Sequence, residues 1–195
     1  VVHPSLPVKS VKELIVLGKT KPGALSYATS SIGSSTHLSP ELFKSMAGVE
    51  ILMIPYKSSA KALTDLMSGQ VQLMFVTSGT VAPHLKSGRM KALAITSAQP
   101  SPLFPDLPTV AATGLPGYES VASHGVFVRA NTPETIVKRL NQEIVRVLKS
   151  AEVKEKLFSV GIDVVGSSPE EFAAIVRSDM TKWGKLIKDA GIRAE

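Results

Sequence analysis

The stretch from Leu25 to Phe75, LSYATSSIGSSTHLSPELFKSMAGVEILMIPYKSSAKALTDLMSGQVQLMF, decides how this chain folds. It holds three short apolar runs, "LSYA" (25–28), "VEILMIP" (49–55) and "VQLMF" (71–75). Leu38, Leu42, Phe43 and Met46 form a helical stripe between the first two, and residues 58–67 form another between the second and third. Strand-length runs alternating with helices of about ten residues are the mark of stacked β-α-β units, so a parallel sheet is expected. The pattern continues outward. Upstream, Ser10 and Glu13 make a capping box ahead of Val11, Leu14 and Ile15, and that helix stops before Pro22 and Gly23. Downstream come a short helix over 81–86 and a strand-like "KALAIT" (91–96).

Three times in this half, hydroxyl residues or glycine stand directly after a strand and before a helix: "TSSIGSST" (29–36), "YKSSA" (56–60) and "VTSGT" (76–80). In open α/β sheets ligands bind outside the carboxyl ends of the strands, where such loops converge. A helix N-terminus offers unpaired N–H groups and a partial positive charge, so three together can hold a carboxylate without an arginine clamp. The simpler reading of any one loop is that its serine caps its own helix. Pro40 leaves a choice open: the helix starts at Ser39–Pro40, or it starts near Ser34 and lacks a bond in its second turn.

The second half reads differently. Residues 100–120, dense in Pro and Gly, are expected to be neither helix nor central strand. "HGVFVRA" (124–130) and "IDVV" (162–165) read as strands. Thr132-Pro133-Glu134 opens a helix through Ile136, Leu140, Ile144 and Leu148, and a shorter helix ends at Val160 before Gly161. Ser168-Pro169-Glu170-Glu171 opens a last helix, expected to bury Phe172, Ile175, Val176, Trp183, Leu186 and Ile187 and to end at Gly191. Two strands are too few to cover those stripes, so exposed apolar surface is expected there.

Composition narrows the function. The 195 residues hold 44% hydrophobic side chains, enough for a core, and no run of eighteen apolar residues, so no spanning helix or direct membrane insertion is expected. The start "VVHPSLPVKS" reads as the interior of a longer protein, with any leader upstream. No cysteine is present, which removes disulfides, thiolate zinc sites and cysteine nucleophiles at once. The formal charge of +6 is scattered without aromatic interleaving, against a nucleic-acid groove. No G-x-S-x-G elbow accompanies His3, His37, His84 and His124, and Ser34 and His37 stand at capping spacing, so no enzyme, metal site or cofactor is expected. His37 reads as a packed or capping residue.

Taken in order, "HPSLPVKSVKELI", the stretch quoted above, "LKSGRMKALAIT", "FPDLPTVAATGLPGYE" and "SSPEEFAAIVRSDMTKWGKLIKDAGI" resemble the Bug-type (TctC-like) extracytoplasmic solute receptors of the tripartite tricarboxylate transporters. The resemblance covers essentially the whole chain. It implies an α/β fold of the type II periplasmic binding-protein kind, two-lobed with a hinge. One complete lobe would span 5–122, with 1–4 and 123–195 supplying crossing strands and the C-terminal part of the other lobe, whose N-terminal part is absent. It implies a periplasmic receptor that captures a small carboxylate for membrane transporter subunits, with no catalytic step. The binding loops it implies match Ser30, Ser31, Gly33, Ser34 and Ser35, then Tyr56 and Lys57, then Thr77 and Ser78. Ser123 and His124 stand where relatives often carry an aromatic pair, and Val76 stands where many have Asp or Thr, so ligand identity does not carry over. The rival reading is a ligand-sensing effector domain of a bacterial transcription regulator, which shares the fold.

Overall fold

A computed structural model describes residues 1–193. Three strands, β1 (Ser26–Thr29), β2 (Leu52–Pro55) and β3 (Leu73–Met74), form a parallel sheet in the order β2-β1-β3. Between and around them run α1 (Val11–Thr20), α2 (Ser35–Ala47), α3 (Ser59–Met67), α4 (Ser78–Lys86) and the one-turn α5 (Val110–Thr113). Helices α6 (Glu134–Leu148), α7 (Ala151–Ser159) and α8 (Pro169–Asp189) follow. The chain divides into two compact units, one of residues 1–122 with those from Leu186 onward, the other of residues 123–185.

In the first unit the sheet is covered on both faces, because successive strand side chains alternate. Tyr27 and Leu73 enter one cluster with Val11 and Leu14 of α1, Phe43 and Ala47 of α2, and Val110. Their neighbours Ala28 and Met74 enter the other, with Ala62, Leu63 and Leu66 of α3 and Val81 of α4. Residues 1–3 add an antiparallel stretch: Met74 N–H donates to the Val1 carbonyl (2.9 Å), His3 N–H to Gln72 (2.9 Å), and Val2 and Lys91 exchange both amide bonds. The strand expected at 91–96 does not form: among the described residues this run pairs only through single bridges, at Lys91 with Val2 and at Ile95 with Thr109.

Residues 100–120 depart from expectation. Thr109 caps the short helix α5, its hydroxyl accepting the Ala112 amide at 3.0 Å, and Val110, Leu115 and Tyr118 are buried. The Tyr118 hydroxyl donates to the Ser39 carbonyl (2.9 Å), and burial raises its pKa. A Pro/Gly-rich segment can therefore be core when its few apolar side chains have a face to reach.

The Pro40 question resolves to the early start. Helix α2 begins at Ser35 with Ser34 as N-cap, and buried Pro40 lies within it. The bond that residue 40 would give to the Thr36 carbonyl is absent. Helix α4 also starts early, at Ser78 rather than Val81, with Pro83 inside it. Each proline is the sixth residue of its helix.

Residues from 123 onward correct three expectations. Among the described residues, 124–130 and 162–165 pair with no strand, and Val126, Phe127 and Val165 stand 69%, 74% and 78% exposed. A strand needs a partner for its N–H and C=O groups, and none lies beside these runs. Of the side chains expected to be buried by α8, only Leu186 is; Phe172, Val176, Trp183 and Ile187 are half-buried and Ile175 is exposed. The helices themselves form where local signals place them. Ser168 and Glu171 make a reciprocal capping box (3.1 and 2.8 Å), and Gly161 follows α7 with φ of 81°.

Candidate ligand-binding site

Parallel pairing sends every loop that follows a strand to the same sheet edge. Thr29 is in register with Pro55 and Ala28 with Met74, and the Tyr56 amide donates to the Thr29 carbonyl at 2.8 Å. The loops 30–34, 56–58 and 75–77 therefore leave side by side, with the first, from central β1, between the other two. All nine residues implied by the resemblance fall on these loops or the helix starts just after them: Ser30, Ser31, Gly33, Ser34, Ser35, Tyr56, Lys57, Thr77 and Ser78.

The three helix starts are not alike. Ser58 caps α3 in the ordinary way, its hydroxyl accepting the Lys61 amide at 3.3 Å. Neither Ser34 on α2 nor Thr77 on α4 makes a side-chain cap bond. The Ser34 hydroxyl turns back to donate to the Ser31 carbonyl (2.8 Å), and Thr77 meets Thr80 hydroxyl to hydroxyl (2.8 Å). Among the described residues, the amides of Ser35 and Thr36 on α2 and of Ser78 and Gly79 on α4 have no acceptor. Among the described residues the first-turn amides of Ser59 and Ala60 on α3 are open in the same way, so what sets α2 and α4 apart is that they also lack a side-chain cap, with the partial positive charge of the helix behind their open donors.

Side chains hold the central loop in shape. The Thr36 hydroxyl lies 3.0 Å from that of Thr29 and 2.8 Å from that of Ser34, and accepts the Ser30 amide at 3.3 Å. Gly33, at φ of 77°, takes a backbone conformation that only glycine adopts cheaply, and its amide donates to His37 Nδ1 at 3.0 Å. His37 is buried, 4% exposed, and burial lowers its pKa, with Glu41 opposing that shift and Lys44 adding to it. The Gly33 amide is therefore already bonded inside the loop, and the outward donors are those of Ser35 and Thr36. Thr36 was not among the residues picked from sequence; its only signal was a hydroxyl two residues after the N-cap.

Tyr56 and Lys57 point to different roles. Burial, then the Asp65 carboxylate, raises the Tyr56 pKa, and Asp65 is itself tied to Lys61 Nζ at 2.7 Å. That chain fastens the second loop to α3. Lys57 is exposed, and among the described residues it makes no ion pair. No group of residues able to hold a metal ion occurs among the described residues.

Comparison with known proteins gives this arrangement its class. Residues 1–192 match the tripartite tricarboxylate transporter family receptor, and the chain belongs to that family. It is 35% identical over 187 residues to a protein from the tcbD-tcbE intergenic region of Pseudomonas sp. strain P51, an alignment that covers 95% of this chain and 56% of the relative. Among solved structures, Rpa4515 of R. palustris with adipate superposes with a TM-score of 0.86 at 40% identity, over 98% of this chain and 64% of that one. The periplasmic binding protein BugD gives 0.82 at 31% identity, covering 100% and 66%. MatC of Rhodopseudomonas palustris with bound malate gives 0.76 at 27%, covering 95% and 64%. The chain thus spans between about half and two thirds of these relatives, and over that span it has their α/β periplasmic binding-protein fold.

Proposed function

We propose that the chain is part of a periplasmic solute receptor that captures a small dicarboxylate and delivers it to the membrane subunits of a tripartite transporter. The observation that carries the reading is the pair of uncapped helix N-termini, α2 and α4, on adjacent parallel strands. A carboxylate accepting two or more backbone N–H bonds there needs no arginine, because the donors are fixed by the helices and gain from their dipoles. Relatives solved with adipate and with malate support a diacid as the ligand class. The family match favours a receptor over the sensing domain of a regulator. Within it, residues 5–122 would be one lobe, carrying Ser30, Ser31, Gly33, Ser34, Ser35, Tyr56, Lys57, Thr77 and Ser78 toward the ligand. Lys57, exposed and making no ion pair among the described residues, would meet the second carboxylate.

Titration calorimetry with adipate, malate and a monoacid of matching length tests this. The diacids should bind, and Lys57→Ala should weaken them more than the monoacid. Binding of neutral sugars or cations alone would remove the carboxylate reading, and equal losses for diacid and monoacid would remove Lys57 from it. Replacing Ser35 with Val should weaken diacid binding, whereas replacing exposed Lys149, at the end of α6, should not.

A further inference from the structure

We propose that His37 is the positioning residue of the ligand loop: by accepting the Gly33 amide it fixes residues 30–34 in the turn that leaves the Ser35 and Thr36 amides open. This rests on the receptor reading above but makes its own claim, about how the donors are kept in place. Three observations carry it. His37 is the third residue of α2 and is buried, with its ring nitrogen 3.0 Å from an amide four residues back in the loop. Gly33 has the left-handed φ of 77° that reverses the chain at that point. The other side-chain bonds of the loop are made by hydroxyls, around Thr36 at 2.8 to 3.3 Å and onto the Ser31 carbonyl from Ser34 and Thr29 at 2.8 and 3.3 Å, and a hydroxyl can change partner by rotating one side chain.

Because the Gly33 N–H donates to Nδ1, Nδ1 carries no proton, and in the neutral ring the proton is on Nε2. Protonation of Nδ1 would set two donors against each other and open the loop. The charged groups that act on the ring are Glu41 and Lys44, one and two turns further along α2. From β1, Tyr27 donates its hydroxyl to Glu41 at 2.6 Å, and Lys44 Nζ pairs with the same carboxylate oxygen at 2.7 Å. That carboxylate is thus held by both. Burial keeps the folded-state pKa below the unfolded value of about 6.5. The loop is therefore closed at neutral pH and loses stability as pH falls below about 6.5.

The test uses the full chain and two variants, His37→Phe, which keeps the ring but has no acceptor, and His37→Asn, whose Oδ1 stands near the place of Nδ1 and does not titrate. Without ligand, the Gly33 amide proton shift should follow the His37 ring titration in the wild type, move toward the coil value in H37F, and stay put from about pH 8 to 5 in H37N. With adipate as the probe, H37F should lose about five- to tenfold in affinity and H37N about twofold or less, and between about pH 8 and 6, above the range where the adipate carboxyls take up protons, the wild type should weaken more than either variant as pH falls. A Gly33 shift that is flat through the His37 titration, or H37F and H37N losing affinity alike, overturns the proposal. If the wild type fails to bind adipate or any other diacid, the receptor reading fails, and the ligand-free shifts alone decide the role of His37 in the loop.

Discussion

Residues 1–122 and residues 123–185 show what local sequence can and cannot do. In the first unit α1 to α4 each bury apolar side chains in the two clusters that cover the sheet: Leu66 is 0% exposed, Phe43 1% and Val11 3%. In the second, α6, α7 and α8 form just as regularly, yet no residue from 123 to 185 is buried, and Ile136, Leu140 and Phe158 stand 49%, 42% and 43% exposed. Helices need only what is near in sequence: caps such as Ser168 with Glu171, and pairs such as Arg139 with Glu143 at 2.8 Å. Strands need a neighbour, which is why 124–130 and 162–165 remain unpaired while 26–29 gains two partners.

The largest expected effect sets the two regions against each other. Leu66→Ala removes a fully buried side chain from between α3 and the sheet and should cost about 2–5 kcal/mol. Leu140→Ala, with an equally apolar residue at an equally helical position, should cost less than about 0.5 kcal/mol. Urea unfolding followed by circular dichroism reads both. Similar losses would mean that the second unit has a core of its own.

A smaller effect sharpens the comparison inside the first unit. Ser58→Ala removes a real cap and should lower stability by about 1 kcal/mol while leaving diacid binding nearly unchanged. Ser34→Ala, at an N-cap position without a cap bond, should do the reverse: little change in melting, measurable loss in calorimetry. If both variants lose stability and neither loses binding, the α2 start is an ordinary capped helix and not a donor site.

The same contrast explains how far the sequence could be read. The parallel sheet, its helices and the edge where three loops meet followed from alternation in residues 25–75, because each of those elements has its partner inside that stretch. The expected strands at 124–130 and 162–165 were read from the same kind of apolar run, but pairing is a property of the neighbour and not of the run. The short helix α5 was hidden by the prolines around it, since the pull of the core on Val110, Leu115 and Tyr118 is not a local signal. At the site, the donor-rich loops were legible, whereas the difference between a capping serine at 58 and a non-capping one at 34 lies in hydroxyl directions that spacing does not encode.

Hydrogen–deuterium exchange of the whole chain, resolved by peptide, tests most directly the claim that one unit closes its core and the other does not. Peptides covering 26–29 and 62–66 should exchange slowly, and those covering α6, α7 and residues 169–185 should exchange orders of magnitude faster despite being helical, because nothing buried holds them shut. Protection in residues 134–148 equal to that in the β1 peptide would contradict the account.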